Sequence, residues 1–223
     1  MVATGYGRFQ VPFSHLCVTD LTSASWGAHL LFPGTRTILD VGGQAVKASR
    51  VDDVRRVTSF RLNDKCAAGT GAFLEKTAHY MGFGTEEIGP LAATSSHAVP
   101  ISGVCTVFAE AEVINHLSQG IAPADIMHGA IISLVAKSVQ LMKRVKMEPE
   151  CTLIGGIMRY RTMASALREA LDVEVNVPDD DVVQYVSALG AAVLAHRQAT
   201  KLAERPAGDG GSPRPLVAGA STR

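Results

Sequence analysis

The sequence has few cysteines, few aromatic residues and no excess of either charge. Aromatic residues make up 5% of its 223 residues, and 21 lysine and arginine residues balance 21 aspartate and glutamate residues. Charge that is balanced and scattered gives no electrostatic footprint for nucleic acid or an anionic membrane, so we expect neither as a partner. The hydrophobic content of 47% is sufficient for a buried core.

Long apolar runs are also lacking. The most apolar long stretch, residues 126–142, is interrupted by His128, Lys137 and Gln140, and it falls short of the roughly 20 apolar residues of a membrane span. The first ten residues have neither the basic nor the apolar region of a secretion signal. The sequence therefore predicts a cytoplasmic protein without a membrane segment.

Hydrophobic periodicity and glycine punctuation predict an α/β fold. We expect strands at 36–40, 45–50, 57–62, 151–154 and 173–177, and helices at 21–31, 71–81, 106–117, 123–145, 161–171 and 182–197. Residues 201–223 are rich in glycine, proline, serine and alanine, which is typical of a disordered tail.

Two of the strands end in paired glycines. Asp40 closes the first strand and is followed by Val41, then Gly42, Gly43 and Gln44, and the strand at 151–154 is followed by Gly155 and Gly156. Glycine lets backbone N–H groups approach phosphate oxygens, and Asp40 can hold a magnesium-bound water. Ordinary tight turns of an α/β domain explain the same pattern, so spacing alone leaves both interpretations open.

Two of the four cysteines, Cys66 and Cys105, each precede a predicted helix. A helix N-terminus favours thiolate, the form that binds metal. Plain burial and a disulfide remain alternatives for both. An iron–sulfur cubane needs four thiolates, so a cluster held by these two would be shared by two chains. We assign no role to Cys17 or Cys151.

Other polar residues give weaker signals. The seven histidines show no HxH or HExxH spacing, so we do not expect a histidine metal site. Glu110 and Glu112 lie on different faces of the helix at 106–117, and a solvated face is the expected interpretation.

Several motifs together resemble the BadF/BadG/BcrA/BcrD-type ATPases, which comprise benzoyl-CoA reductase ATPase subunits and 2-hydroxyacyl-CoA dehydratase activators. In chain order they are Thr4-Gly5-Tyr6-Gly7-Arg8, Asp40-Val41-Gly42-Gly43-Gln44, Asn63-Asp64-Lys65-Cys66-Ala67-Ala68-Gly69-Thr70-Gly71, Cys105-Thr106-Val107-Phe108-Ala109-Glu110 and Ala188-Leu189-Gly190-Ala191-Ala192. Gly155-Gly156-Ile157-Met158-Arg159 looks closer to a benzoyl-CoA reductase subunit.

The resemblance implies the actin-like ATPase fold and an oxidoreductase component of anaerobic metabolism, such as aromatic degradation. ATP hydrolysis with Mg²⁺ would drive single electrons from ferredoxin, through a [4Fe–4S] cluster bridging two subunits, to a reductase or dehydratase partner. The resemblance also implies that Cys66 and Cys105 are the cluster ligands. It implies that Asp40 to Gln44 form the second phosphate loop, in which Asp40 and Gln44 are catalytic, and that Gly155-Gly156 form the adenosine loop. The assembly would be a homodimer or a heterodimer with a sister subunit.

The sequence departs from the family pattern at two points. It begins after the family's first phosphate loop, which implies an incomplete N-terminal half. We therefore expect residues 1–35 to be a remnant of the first subdomain, residues 36–200 to form the second subdomain, and residues 201–223 to be the tail. Ala45 stands where the family usually has aspartate. A cluster-binding subunit that does not hydrolyse ATP and an actin-like small-molecule kinase are the alternatives. The acyl-CoA concerned is not specified.

Overall fold

The computed structural model describes residues 1–63, 70–103, 105–179 and 181–204, which form a mixed α/β structure. Within them the strands are β1 (Val2–Ala3), β2 (Leu16–Cys17), β3 (Thr37–Val41), β4 (Val46–Val51), β5 (Val57–Asn63), β6 (Cys151–Ile154) and β7 (Val175–Asn176). The helices are α1 (Asp20–Leu31), α2 (Gly71–Tyr80), α3 (Ile88–Ala93), α4 (Thr106–Ser118), α5 (Pro123–Arg144), α6 (Arg161–Leu171) and α7 (Val182–Ala203).

The main sheet has the strand order β5-β4-β3-β6-β7. β3, β4 and β5 form an antiparallel meander, whereas β6 and β7 run parallel to β3. Asp40 near the end of β3 pairs with Ile154 at the end of β6. Because parallel neighbours end at the same edge of a sheet, the turns that follow β3 and β6 lie side by side.

Helices cover both faces of this sheet. Leu39, Val41 and Leu153 belong to the larger core, with α2, α5 and α6. Ile38 and Ile154 belong to a smaller core with α1 and α7. The change of face between successive residues follows the two-residue period of a strand. Burial on both faces explains why β3 and β6 are mostly apolar and show no regular alternation of apolar and polar residues.

α1 and α7 pack with their backbones in close approach. A Cβ atom at Gly27 would overlap the backbone carbonyl of Val186, and one at Gly190 would overlap that of Ser23. Residues 20–31 therefore pack directly on a helix of the 36–200 region. The division at residue 35 into two subdomains stays a prediction.

Most predicted elements are confirmed within a few residues, and the structure differs from the prediction at several points. α7 extends to Ala203, beyond the predicted end at residue 197 and into the segment expected to be disordered, because residues 198–203 are mostly good helix formers. The remainder of that segment, residues 205–223, lies outside the described residues. β7 has two residues instead of five, and α3, β1 and β2 were not predicted. Among the described residues, none of the helices combines the length and apolar character needed to cross a bilayer.

Candidate functional site

The two glycine turns predicted from the sequence are in contact. Gly155 has a φ of 99°, which favours glycine, and a Cβ atom there would overlap the carbonyl oxygen of Val41 and the carboxylate of Asp40. Its N–H donates to the carbonyl of Val183 at 2.9 Å, which ties the start of α7 to the same place. Sheet topology thus brings the two motifs together, as the sequence alone could not establish.

The first turn is also bonded to a helix N-terminus. The N–H groups of Gly71 and Ala72, at the start of α2, donate to the carbonyls of Gly42 and Gly43 at 3.0 and 2.8 Å. These two N–H groups belong to the set that a helix leaves without an internal partner. α2 is therefore held directly by the turn after β3.

The space beside the turns is open. A Cβ atom added at Gly43 or Gly156 would meet no described atom within 4 Å. Gln44 is exposed beside Gly43. Beyond Gly156 the short 3₁₀ helix Gly156–Arg159 leads to a cleft of about 420 Å³, lined by Glu86, Gly89, Pro90, Ala93, Arg159, Tyr160, Arg161 and Thr162. Glycine faces and a neighbouring cleft give room for a ligand that reaches both turns.

Asp40 belongs to a charged cluster that the sequence analysis did not identify. Lys47 Nζ lies 3.3 Å from Asp40 Oδ2 and 2.6 Å from Asp20 Oδ2. Burial raises the pKa of Asp40, the Lys47 ammonium partly offsets this, and the Asp20 carboxylate adds to it. Burial alone would raise the pKa of Asp20, but Lys47 and the Leu21 N–H lower it overall. The hairpin register, which places Lys47 opposite Asp40, is the signal that could have revealed the pair.

Lys47 is held in its charged form between the two carboxylates. Burial would lower its pKa, but Asp40 and Asp20 raise it above the ordinary value. This charged cluster consists of one cation and two carboxyl groups, so it carries a net negative charge whenever both carboxyl groups are ionised. Such a group at the end of a buried strand is suited to binding a cation or orienting a water molecule.

The cleft is bordered by Arg159, another residue that sequence reasoning did not assign. Its guanidinium lies 2.8 Å from the Asp181 carboxylate and 3.8 Å from that of Glu86. The Tyr160 hydroxyl donates to the Thr85 carbonyl at 3.0 Å, and burial raises the pKa of Tyr160. These contacts join residues 85–86 to the chain after Gly156. The cleft is thus closed on one side by a polar and partly charged wall.

The structure describes one of the two predicted cluster ligands. Cys105 is a free, half-buried thiol at the N-cap of α4, and its side chain makes no capping hydrogen bond. That position fits a thiolate ligand, since the helix dipole favours negative charge. Cys66 lies outside the described residues. α2, the helix after it, begins at Gly71 with Thr70 as its N-cap.

The other cysteines have local surroundings of their own. Cys17 Sγ contacts the Arg8 carbonyl at 3.4 Å and Ser14 Oγ at 3.6 Å. Cys151 is buried in β6, and burial raises its pKa. In the described part of the chain, no three histidine, cysteine or acidic side chains are grouped so that they could hold a metal ion. A cluster at Cys105 would therefore need ligands beyond the described residues of one chain.

The solvated-face interpretation of Glu110 and Glu112 is wrong. Glu110 is 16% exposed and bonds to Lys76 and Tyr80 of α2. Glu112 Oε2 accepts a hydrogen bond from the Ser102 N–H. Helix spacing correctly placed the two side chains on different faces, but each face meets a neighbouring segment. Only the packing of α4 against those segments determines this.

Comparison with known proteins identifies the family. The model of the BadF/BadG/BcrA/BcrD ATPase family matches residues 1–195. The chain belongs to this family. It is 37% identical over 199 residues to the 2-hydroxyisocaproyl-CoA dehydratase activator of Clostridioides difficile, covering 89% of this chain and 74% of that protein. It is also 37% identical to the (R)-2-hydroxyglutaryl-CoA dehydratase activating ATPase of Acidaminococcus fermentans, covering 90% and 76%.

Benzoyl-CoA reductase is represented among the family relatives as well. One subunit of the benzoyl-CoA reductase from Thauera aromatica is 33% identical over 191 residues, covering 82% of this chain and 67% of that subunit. The predicted family is thus confirmed, and the identities to the two activators are slightly higher than that to the reductase subunit.

Solved structures agree with the family assignment. The activator of the 2-hydroxyisocaproyl-CoA dehydratase from Clostridium difficile with bound ADPNP superposes with a TM-score of 0.86 at 36% identity, covering 91% of this chain and 75% of that one. MreB 5 of Spiroplasma citri, at 12% identity and a TM-score of 0.53, shares the fold alone. The predicted actin-like ATPase fold is confirmed.

Proposed function

We propose that this chain is the ATP-dependent electron-transfer subunit of a 2-hydroxyacyl-CoA dehydratase or benzoyl-CoA reductase system. The observation that carries the proposal is the contact of Gly155 with Asp40 and Val41, which brings the two glycine turns together. Membership of an ATPase family and the likeness to an ADPNP-bound activator support nucleotide binding there. The names of the relatives support an acyl-CoA-processing partner.

In this proposal the phosphates lie against the turn after β3. The backbone N–H groups of Gly43 and Gln44 would donate to phosphate oxygens, since both residues are exposed. Asp40 would hold a magnesium-bound water and, with Gln44, orient the water that attacks. Magnesium ATP supplies the phosphoryl group and the metal charge when bound. Gly155 and Gly156 would face the adenosine, with the base and ribose extending toward the cleft at Arg159 and Tyr160.

Cys66 and Cys105 would hold half of a [4Fe–4S] cluster, and the same pair from a second chain would complete it. Cys105 supports this role through its free thiol at the N-terminus of a 13-residue helix. When bound, the cluster supplies one-electron transfer at low potential. A homodimer or a heterodimer with a sister subunit satisfies the ligand count, and ferredoxin is the proposed donor.

The test is to measure iron, acid-labile sulfide and ATPase activity on chain purified without oxygen. We expect about two irons and two sulfides per chain, an absorbance band at about 400 nm, and a dimeric mass. Cys105→Ala and Cys66→Ala should each lose the iron and keep the fold, whereas Cys17→Ser, the matched control, should keep both. Iron retained in both ligand variants would refute the assignment.

A subunit that binds the cluster without hydrolysing ATP is the second candidate. The specific observation in its favour is the pairing of Asp40 with Lys47, which competes with a magnesium-bound water for the carboxylate. Chain that holds iron and binds ADP but shows no ATPase turnover, with or without its partner subunit, would favour this candidate. Turnover that Asp40→Asn abolishes would exclude it.

A further inference from the structure

α2 connects the proposed nucleotide site with the cysteine-bearing end of the molecule. Its first N–H groups bond to the carbonyls of Gly42 and Gly43. Gly71 also lies against the Ile157 side chain from the second turn, which occupies the position of a Cβ. The N-terminus of α2 therefore touches both turns. A displacement of either turn on nucleotide binding or hydrolysis acts directly on this helix.

The other side of α2 is clamped to α4 through one carboxylate. Glu110 Oε1 lies 2.7 Å from Lys76 Nζ, and Glu110 Oε2 accepts a hydrogen bond from the Tyr80 hydroxyl at 3.1 Å. Lys76 also lies 5.7 Å from the centre of the Tyr80 ring. Both oxygens of Glu110 are thus engaged by residues one turn apart on α2. The Glu110 side chain is 16% exposed, compared with 50% for Lys76.

Two other polar contacts hold α4: Glu112 accepts a hydrogen bond from the Ser102 N–H, and His116 Nε2 lies 3.1 Å from the Pro100 carbonyl oxygen. Within α4 only Ala109 and Val113 are buried, while Val107, Phe108 and Ile114 are 70%, 64% and 53% exposed. Cys105 is its N-cap, and the Ala109 N–H donates to the Cys105 carbonyl at 3.0 Å. Glu110 is thus rigidly linked to Cys105 through the first turn and a half of the helix.

We propose that Glu110 is a positioning residue that transmits the state of the nucleotide turns, through α2, to Cys105. The inference rests on the proposed function, because it assumes that nucleotide occupies the turns and that Cys105 is the reporting thiol. Partly exposed ion pairs stabilise a fold only weakly, so the clamp can adjust its geometry and its loss leaves the chain folded. Coupling between nucleotide binding and Cys105 then requires that the contacts of Glu110 with α2 differ between the nucleotide-bound and the nucleotide-free chain.

The experiment compares wild-type chain, Glu110→Gln and the matched control Glu75→Gln, which changes an exposed carboxylate on α2. For each, ADP affinity and the rate of iron removal by a chelator are measured with and without ADP. We expect wild type and Glu75→Gln to show an ADP-dependent rate. Glu110→Gln should keep its iron and its ADP affinity within about twofold, but its rates of iron removal with and without ADP should become equal, a ratio of about one.

A charge exchange tests the pair itself. The double variant with Lys76→Glu and Glu110→Lys should recover part of the ADP-dependent ratio that each single variant loses, which a merely structural role of Glu110 does not predict. An unchanged ratio in Glu110→Gln overturns the inference.

A second readout separates this inference from the proposed function. The labelling rate of Cys105 by N-ethylmaleimide, followed by mass spectrometry, is measured on iron-free chain with and without ADP. If wild-type chain never holds iron, the proposed iron–sulfur cluster is refuted. The proposed role of Glu110 is still supported if ADP changes the labelling rate of Cys105 in wild type and not in Glu110→Gln. If ADP leaves the labelling rate of Cys105 unchanged in wild type, the proposed role of Glu110 is wrong.

Discussion

The turn end and the cysteine end of this molecule are built differently. At the turn end, backbone groups touch one another: Gly155 lies against Val41, and the Gly42 and Gly43 carbonyls accept N–H groups of α2. At the cysteine end, α4 buries only two of its residues and presents Val107 and Phe108 to solvent. The first region leaves no room for added side chains at its contacts, whereas the second leaves an open apolar surface.

The difference indicates where conformational change is feasible. Backbone contacts without intervening side chains have few alternative arrangements, so the turn end transmits a displacement with little loss. A lightly packed helix has low local stability and changes orientation more easily. An open apolar surface beside Cys105 is also suited to contact with another protein. The three predictions below test this contrast, beginning with the largest expected effect.

The first prediction compares a phenylalanine from each region. Phe73 of α2 is 2% exposed in the main core, and Phe108 of α4 is 64% exposed. Phe73→Ala should lower the free energy of unfolding by about 3–5 kcal/mol, whereas Phe108→Ala should change it by less than about 0.5 kcal/mol. Denaturant unfolding at low protein concentration measures both. Similar losses for the two variants would show that α4 is not open in the separate chain.

The second prediction compares two adjacent glycines at the turn end. Gly155→Ala should destabilise the chain by about 1–3 kcal/mol through backbone strain, and overlap with Val41 and Asp40 adds to this. Gly156→Ala should change the free energy of unfolding by less than about 1 kcal/mol, since its Cβ would meet no described atom within 4 Å. ADP affinity should nevertheless fall in both. An unaltered ADP affinity in Gly156→Ala would argue against adenosine at this turn.

The third and smallest effect concerns Asp40 and pH. Burial raises the pKa of Asp40 above that of the unfolded chain, so the folded state binds more protons between the two pKa values. The contribution of Asp40 to the free energy of unfolding therefore decreases as pH rises from about 4 to the folded pKa. Asp40→Asn should remove this dependence, so that the variant gains relative stability as pH rises through that range. Chemical denaturation at several pH values measures it, and a gain as pH falls would contradict it.

Local sequence predicted the elements that local forces determine. The Asp40-to-Gln44 and Gly155-Gly156 segments are turns because paired glycines follow short apolar strands. α5 begins at Pro123 and ends with Lys143 and Arg144, as proline and basic residues favour at those ends. In contrast, α3 contains glycine and proline within six residues, and it is held by burial of Ile88 and Ala92. Propensity gives no signal for such a helix.

Sequence patterns were sufficient to identify the family, the chain order of most strands and helices, and the cysteine at the N-cap position of α4. Tertiary structure decided which of these features meet: Gly155 over Asp40, Lys47 between two carboxylates, and Glu110 against Lys76 and Tyr80. The difference arises from how far apart in the chain the interacting residues lie. Periodicity, capping and turn chemistry depend on residues within a few positions of one another, whereas these contacts depend on strand order and helix packing, which join residues far apart in the chain.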